Sequence, residues 1–245
     1  MTPEELTDRL LYRDGLMLVI DKPTGIPVHR GPKGGDNLEA YFGALRFGLP
    51  RDPSLAHRLD RDTSGCLVLG RHRKALERLG KLFKNGHISK TYWAVVEGHP
   101  TDDAGTIEFP MSRLDETRGW WMRVDPLGQA ACTHWRVLGR DFGLDQRPLA
   151  WLALSPVTGR THQLRVHCAA MGWPIMADPI YGAGARGEIG CLQLHARNII
   201  VPIQASKPPV DVTAPTPNHM KEALRLCGWT TAADTSLMST HAAEG

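Results

Sequence analysis

Short apolar runs separated by polar turns mark most of this chain, and their spacing decides which form strands and which form helices. Leu16-Met17-Leu18-Val19-Ile20 is apolar and partly β-branched, and it ends at Asp21-Lys22-Pro23-Thr24-Gly25, where proline followed by glycine predicts a tight turn. The chain then runs extended through Ile26-Pro27-Val28 into a basic, glycine-rich loop over 29–35. Asn37 is placed to cap a helix reaching Arg46, with Leu38, Tyr41, Phe42 and Leu45 along one face. Cys66-Leu67-Val68-Leu69-Gly70 reads as a buried strand. Leu76, Leu79, Leu82 and Phe83 recur at helical spacing while Lys74, Arg78, Lys81 and Lys84 face elsewhere, so 74–84 is predicted as an amphipathic helix stopped by Asn85-Gly86.

The second half is richer in strand signals. Thr91, Tyr92, Trp93, Val95 and Val96 predict a strand over 88–97, on which Lys90, Tyr92 and Ala94 share a side. A turn over 101–105 leads to a strand over 106–109 that stops at Pro110. Residues 112–119 are polar. An extended run begins at Trp120-Trp121, of which one ring at most faces outward as a stacking platform, and strands follow over 131–138 and 149–154. A helix starts near Thr161, capped by Thr161 or Thr158, with Leu164, Cys168 and Met171 at helical spacing. Turn-rich pieces follow at 173–182, strands at 191–196 and 198–201, and a short helix ending at Leu226. The expected class is α+β: a central mixed, mostly antiparallel sheet flanked by helices and loops, as a single domain over 10–228 with a disordered tail over 229–245.

Composition bounds the function. With 42% hydrophobic residues in 245, the chain is long enough to bury a sizeable core. The acidic start, Met1-Thr2-Pro3-Glu4-Glu5, is unlike a secretory signal, and no apolar run reaches the roughly 18 residues of a membrane span, so a soluble, cytoplasmic protein is expected. Five dispersed cysteines fit neither a disulfide framework nor a zinc knuckle. His162 and His167 are five apart rather than the four that a zinc pair on one helix uses. The net charge is only +3, but between Arg58 and Lys90 nine Lys or Arg stand against three acids, a local +6. Such a field suits a polyanion such as RNA; a merely solvated basic helix face is the plainer alternative.

The densest chemistry lies in His57-Arg58-Leu59-Asp60-Arg61-Asp62-Thr63-Ser64-Gly65, a loop leading into the core. A carboxylate at the edge of a core stays ionised only if cations or donors face it, and Asp60 lies between Arg58 and Arg61. That is the state a carboxylate nucleophile needs, although a surface ion-pair cluster accounts for the same spacing. Asp62-Thr63-Ser64-Gly65 also looks like an aspartic-protease motif with one residue inserted, but that chemistry needs a second carboxylate segment, and no copy is present.

The loop His57-Arg58-Leu59-Asp60-x-x-Thr63-Ser64-Gly65 resembles the signature of the RluA family of RNA pseudouridine synthases. Lys22-Pro23-x-Gly25, Ile88-x-Lys90-x-Tyr92-x-Ala94-x-Val96-x-Gly98, the run from Thr158 to His167, Asp178-x-x-Tyr181-Gly182, Leu194-His195-Ala196 and Ala214-Pro215-x-Pro217 recur in the family's order. The resemblance implies one catalytic domain with an RNA cleft, working without cofactor or metal, that detaches a uridine base, turns it and rejoins it through C5. It implies Asp60 as nucleophile at C1′ or C6, Arg165 holding that carboxylate charged and aimed, and Tyr92 against the uracil, helping to remove the C5 proton. Arg58 would fill the space left by the extruded base, and Lys90 and Arg160 would contact phosphate or support the site.

Val157, Gln129 and Ala177 depart from the family's usual residues, the last where glycine commonly precedes the aspartate. The chain begins close to the catalytic motifs, so the expectation is a compact member acting on tRNA, 23S rRNA or both. It is expected to bind RNA but neither DNA nor membranes, and to be monomeric. Two rivals remain at this stage: a catalytically silent RNA-binding module of the same fold, and a hydrolase using Asp60 on a small ester or phosphate.

Overall fold

The computed structural model describes residues 1–31, 34–115, 120–141, 148–182 and 190–231. In chain order the strands are β1 (Leu10–Arg13), β2 (Met17–Lys22), β3 (Ser54–Leu55), β4 (Ser64–Gly70), β5 (Ser89–Glu97), β6 (Ala104–Ile107), β7 (Met111–Arg113), β8 (Met122–Val124), β9 (Thr133–Asp141), β10 (Leu149–Pro156), β11 (Leu194–Val201) and β12 (Val210–Thr213). The α-helices are α1 (Pro3–Thr7), α2 (Arg73–Lys84), α3 (Gln163–Ala170) and α4 (Lys221–Leu226). Two compact units result, residues 1–90 with 195–215, and residues 91–194 with the chain from Thr216.

In the first unit the strands run in the order β1-β2-β4-β11, with β12 on β11 and the short β3 against β4. These pairings are antiparallel except β4 with β11, which are parallel where Ser64 and Gly65 meet His195 and Ala196. Alternation along the strands sends Met17 and Val19 of β2 and Cys66 and Val68 of β4 into one core with Leu79 of α2 and Ile199 and Val201 of β11. α2 forms where the apolar period predicted it. His72 caps its start by accepting the amide of Ala75, and Asn85 follows its last turn.

In the second unit β5, β10, β9 and β6 form an antiparallel sheet, and β7 pairs with β8 as a separate ribbon. Ala94, Val96, Leu152 and Leu154 pack with Leu164 and Cys168 of α3 on one face. Trp93, Val95 and Trp151 pack with Ala223 and Leu224 of α4 on the other. The sheet is thus mixed and mostly antiparallel within an α+β fold. Among the described residues no helix is long and apolar enough to cross a membrane.

Several boundaries differ from the sequence reading. The helix after Asn37 is a 3-10 helix, Leu38–Leu45, which buries Leu38, Phe42 and Leu45. The strand expected from Thr106 starts at Ala104, because its partner β9 extends to meet it. The two strands expected around residue 197 are one, β11, because Arg197 is buried within it. Neither Thr158 nor Thr161 caps α3. His162 occupies that position in a left-handed conformation, with φ 53°, and makes no side-chain cap bond. Trp229, placed in the tail by composition, is buried with the α4 cluster, and the rest of the expected tail from 232 lies outside the described residues.

Gly65 sets the closest approach in the first unit. Its φ is +104°, and a methyl group there would lie 2.8 Å from the carbonyl carbon of Ala196, 2.9 Å from its nitrogen and closer still to its oxygen. Gly65→Ala is therefore expected to cost on the order of 2–3 kcal/mol through overlap and backbone strain. A urea titration checks this, and a wild-type midpoint would contradict the close approach.

Candidate active site

Asp60 lies in the loop between β3 and β4, and that loop is held from beneath. Lys22, the last residue of β2, is 0% exposed, and its Nζ donates to the carbonyls of Pro23 at 2.9 Å, Arg61 at 2.8 Å and Thr63 at 2.9 Å. Three acceptors match the three N–H bonds of an ammonium. The turn that follows Lys22 adds to the clasp: Gly25 N–H donates to Arg61 O at 3.0 Å and the Thr24 hydroxyl to Asp62 O at 2.8 Å. Burial pulls the Lys22 ammonium down to about 7, against the negative charges of Asp62, Asp60 and Asp21, which favour keeping its proton.

The loop alternates between packing and exposure. His57 stacks on Phe83 of α2 with centroids 4.6 Å apart and accepts the Val68 amide at Nε2, 3.0 Å. Burial and then the Lys90 charge push its imidazole down to about 3, so it stays neutral as that acceptor requires. Arg58 is exposed, Leu59 buried and Asp60 half-buried, while the Arg61 guanidinium forks onto the Asp62 carboxylate at 2.9 and 3.1 Å. Thr63 and Ser64 are buried, and the Ser64 hydroxyl meets His195 Nδ1 at 2.9 Å. Lys90, half-buried at the start of β5, is held below the ordinary lysine range by burial.

In the second unit the central group is Arg165 of α3. Its guanidinium makes a two-pronged ion pair with Asp178, Nε to Oδ2 and Nη2 to Oδ1, both 2.7 Å, with the side chains 3% and 0% exposed. Asp178 Oδ1 also accepts the amides of Ile180 and Tyr181, which closes the turn after it. Burial alone would raise the Asp178 carboxyl, but Arg165 and those two amides bring it below the usual carboxylate range. Tyr181 then lies under the guanidinium, 5.2 Å from ring centre to Cζ, and its hydroxyl meets His162 Nδ1 at 2.8 Å and the Met122 amide at 2.9 Å. Gln163 fastens the loop before α3. It accepts from the Thr158 hydroxyl and the Arg160 amide, and donates to Cys132 O and the Thr133 hydroxyl. Arg160 is exposed and donates to Ala130 O, and Tyr92 is half-buried beside the cluster of Ala94 and Leu154. His167 bridges the Thr133 hydroxyl and Phe109 O.

An open pocket of about 800 Å³ lies at the turn after β2, lined by Arg9, Asp21, Thr24 and Asp36 among others. Asp21 alternates with Lys22 along the strand, and burial pushes its carboxyl up to about 6 despite Arg9 and Lys22. With Glu5, Asp8, Asp21 and Asp36 against Arg9, this pocket is unsuited to phosphate.

A family model described as RNA pseudouridylate synthase matches residues 16–170. The chain belongs to this family of RNA pseudouridine synthases, and to its RluA type. An uncharacterized RNA pseudouridine synthase of Zymomonas mobilis is 42% identical over 214 residues, spanning 86% of this chain and 95% of that protein. Ribosomal large subunit pseudouridine synthase C of Vibrio cholerae is 35% identical over 231 residues, 90% of this chain and 69% of its own length. The human structure titled RNA Pseudouridylate Synthase Domain Containing 1 superposes with a TM-score of 0.76 at 27% identity, covering 98% of this chain and 97% of that one.

Of the residues singled out in this synthase by sequence, Asp60, Arg58 and Lys90 belong to the first unit, and Tyr92, Arg165 and Arg160 to the second. Sequence reasoning did not single out Lys22 or Asp178 for a role. Both stood inside the motifs named above, Asp178 directly after the apolar Ile175-Met176-Ala177 and Lys22 two residues after the run that ends at Ile20. Ala177, where the synthase family commonly has glycine, has φ 60°. A left-handed backbone at that position explains the glycine, and here an alanine bears the strain.

Asp178→Asn removes one charge of the buried two-pronged pair with Arg165, at an expected cost of about 3–5 kcal/mol. Because the Asp178 pKa is lower in the folded than in the unfolded chain, the pair's contribution is complete above about pH 4 and is lost as pH falls through the folded value. Urea midpoints measured over the acid range should therefore fall less steeply for Asp178→Asn than for the wild type. Equal midpoints and equal slopes would contradict this account of the pair.

Proposed function

We propose that this synthase converts specific uridines of tRNA, 23S rRNA or both to pseudouridine, with Asp60 as nucleophile. The observation that supports this reading best is the clasp beneath the Asp60 loop. Four hydrogen bonds from Lys22, Thr24 and Gly25 hold the loop's backbone while the Asp60 side chain stays half-buried at its surface. A nucleophile must be held in position more than it must be made basic, and a carboxylate is already charged at neutral pH.

In the proposed reaction the Asp60 carboxylate attacks C1′ or C6 of the target nucleotide, and the bond between N1 and C1′ breaks. The detached uracil turns, a bond forms between C5 and C1′, and the bond from Asp60 to C1′ or C6 breaks, which frees the carboxylate. The C5 proton leaves and N1 takes up a proton, so atoms and charge balance with no oxidant or reductant. Tyr92 is assigned to the uracil and the C5 proton, and Arg165 to keeping the nucleophile ionised and aimed. Arg58, exposed beside the half-buried Asp60 loop, is assigned to the gap left by the extruded base. Lys90 and Arg160 are assigned to phosphate or to support of the site. In this reading RNA is the nucleic-acid partner and the enzyme works as a monomer in the cytoplasm, where buried thiols such as Cys66, Cys168 and Cys227 stay reduced.

RNA transcripts carrying tritium at uracil C5 test the proposal, since the label leaves only when C5 changes its bond. Wild-type protein is expected to release tritium from tRNA or 23S rRNA transcripts, and Asp60→Asn to release none while still binding the RNA. Turnover retained by Asp60→Asn would remove it as nucleophile, and no release by the wild type would overturn the assigned targets.

A further inference from the structure

The solvent face of α2 has no part in the chemistry above, and it is strongly basic. Arg73, Lys74, Arg78, Lys81 and Lys84 are all exposed, and Glu77 is the helix's single acid. Arg73 pairs with Glu77 across one turn, Nε to Oε1 at 2.9 Å. Among the described residues no carboxylate pairs with Lys74, Arg78, Lys81 or Lys84, which therefore form a positive row. Neighbours three or four residues apart stand about 5–6 Å from one another, and the row is about 15 Å long. That repeat fits a polyanion with regularly spaced charges better than a single small anion.

The row is also rigidly placed relative to Asp60. On the opposite side of the helix Leu79, with Leu82 and Phe83, packs into the core shared with β2 and β4. Phe83, in the last turn, stacks on His57, whose Nε2 accepts the amide of Val68. The helix therefore ends against the loop that carries Arg58 and Asp60, and Lys84 adjoins the stacked ring. The helix dipole accounts for Lys81 and Lys84 near the C-terminus, where positive charge is favourable. It does not account for Lys74 in the first turn, where positive charge is unfavourable, and an external anion supplies what the helix itself does not.

We infer that this face of α2 is a docking surface for the phosphate backbone of the RNA substrate, beside the nucleotide presented to Asp60. The inference rests on the RNA-modifying reading above. It assigns sequence-independent contacts, which hold the RNA in register without selecting the target. The partner is the sugar-phosphate chain, and the contact is salt-sensitive.

The test uses the full chain with Lys74→Gln, Arg78→Gln, Lys81→Gln and Lys84→Gln combined, glutamine being a good helix former. Circular dichroism and a thermal midpoint verify that the variant folds. Binding of an unmodified tRNA transcript is then followed from low to moderate salt. Loss of four phosphate contacts is expected to lower the slope of log affinity against log salt by about 3 and to weaken binding at least tenfold at low salt. A control variant, Arg51→Gln with Lys207→Gln, removes exposed charges elsewhere and is expected to keep the wild-type slope. An unchanged slope in the fourfold variant overturns the inference, as does an equal loss in the control, which would make the effect one of bulk charge. Tritium release by the wild type is read separately, so failure of this surface and failure of the isomerase assignment are distinguishable.

Discussion

A buried ammonium organises the first unit. Lys22 has left water entirely, and its three N–H bonds end on carbonyls of its own turn and of the loop around Asp60. An unpaired charge at that depth would cost several kcal/mol, whereas a charge-assisted hydrogen bond contributes roughly 1.5–3 kcal/mol, so each carbonyl is held where it is. The backbone of the loop cannot shift without stranding a charge. Along that backbone Arg58 is exposed, His57 and Asp60 are half-buried and Leu59 is buried.

The same constraint recurs in the second unit with opposite sign. Asp178 is the buried charge there, and Arg165 with two turn amides completes its partners. Tyr181 closes the arrangement by lying against the guanidinium and fixing His162. Buried ion pairs of this kind add little net stability compared with apolar packing, but they specify position sharply, because every displacement leaves a donor or acceptor unmet. The backbone contact between Gly65 and Ala196 does comparable work without charge, locking β4 to β11 where the loop enters the sheet.

Much of this was legible in the chain. α2 has opposed apolar and basic stripes over three turns, and the apolar run of β4 is buried along its whole length. The loop of Asp60 announced itself by chemical density. Less legible were features in which tertiary partners override local preference. Lysine is rarely buried, so Lys22 next to Asp21 read as the polar edge of a turn rather than the floor of a loop. Arg197 divided β11 into two apparent strands because its burial depends on distant partners. The left-handed conformation of His162 left no trace in composition, and Trp229 was outweighed by the polar residues that follow it. The clustering of Arg165 with Asp178 and Tyr181 depends on a turn whose geometry only the folded chain supplies.

The most direct test of this account is the single-turnover rate of pseudouridine formation at saturating RNA for Lys22→Met, a substitution that keeps the chain's bulk and removes its charge and donors. If the ammonium holds the loop of Asp60, the proposed nucleophile, the rate falls by about 100-fold, the scale expected for misplacement of a reacting group by about 1 Å, while the protein remains folded and binds RNA. A folded Lys22→Met protein that turns over at the wild-type rate would contradict the account, since the loop would then be fixed by something other than the charge beneath it.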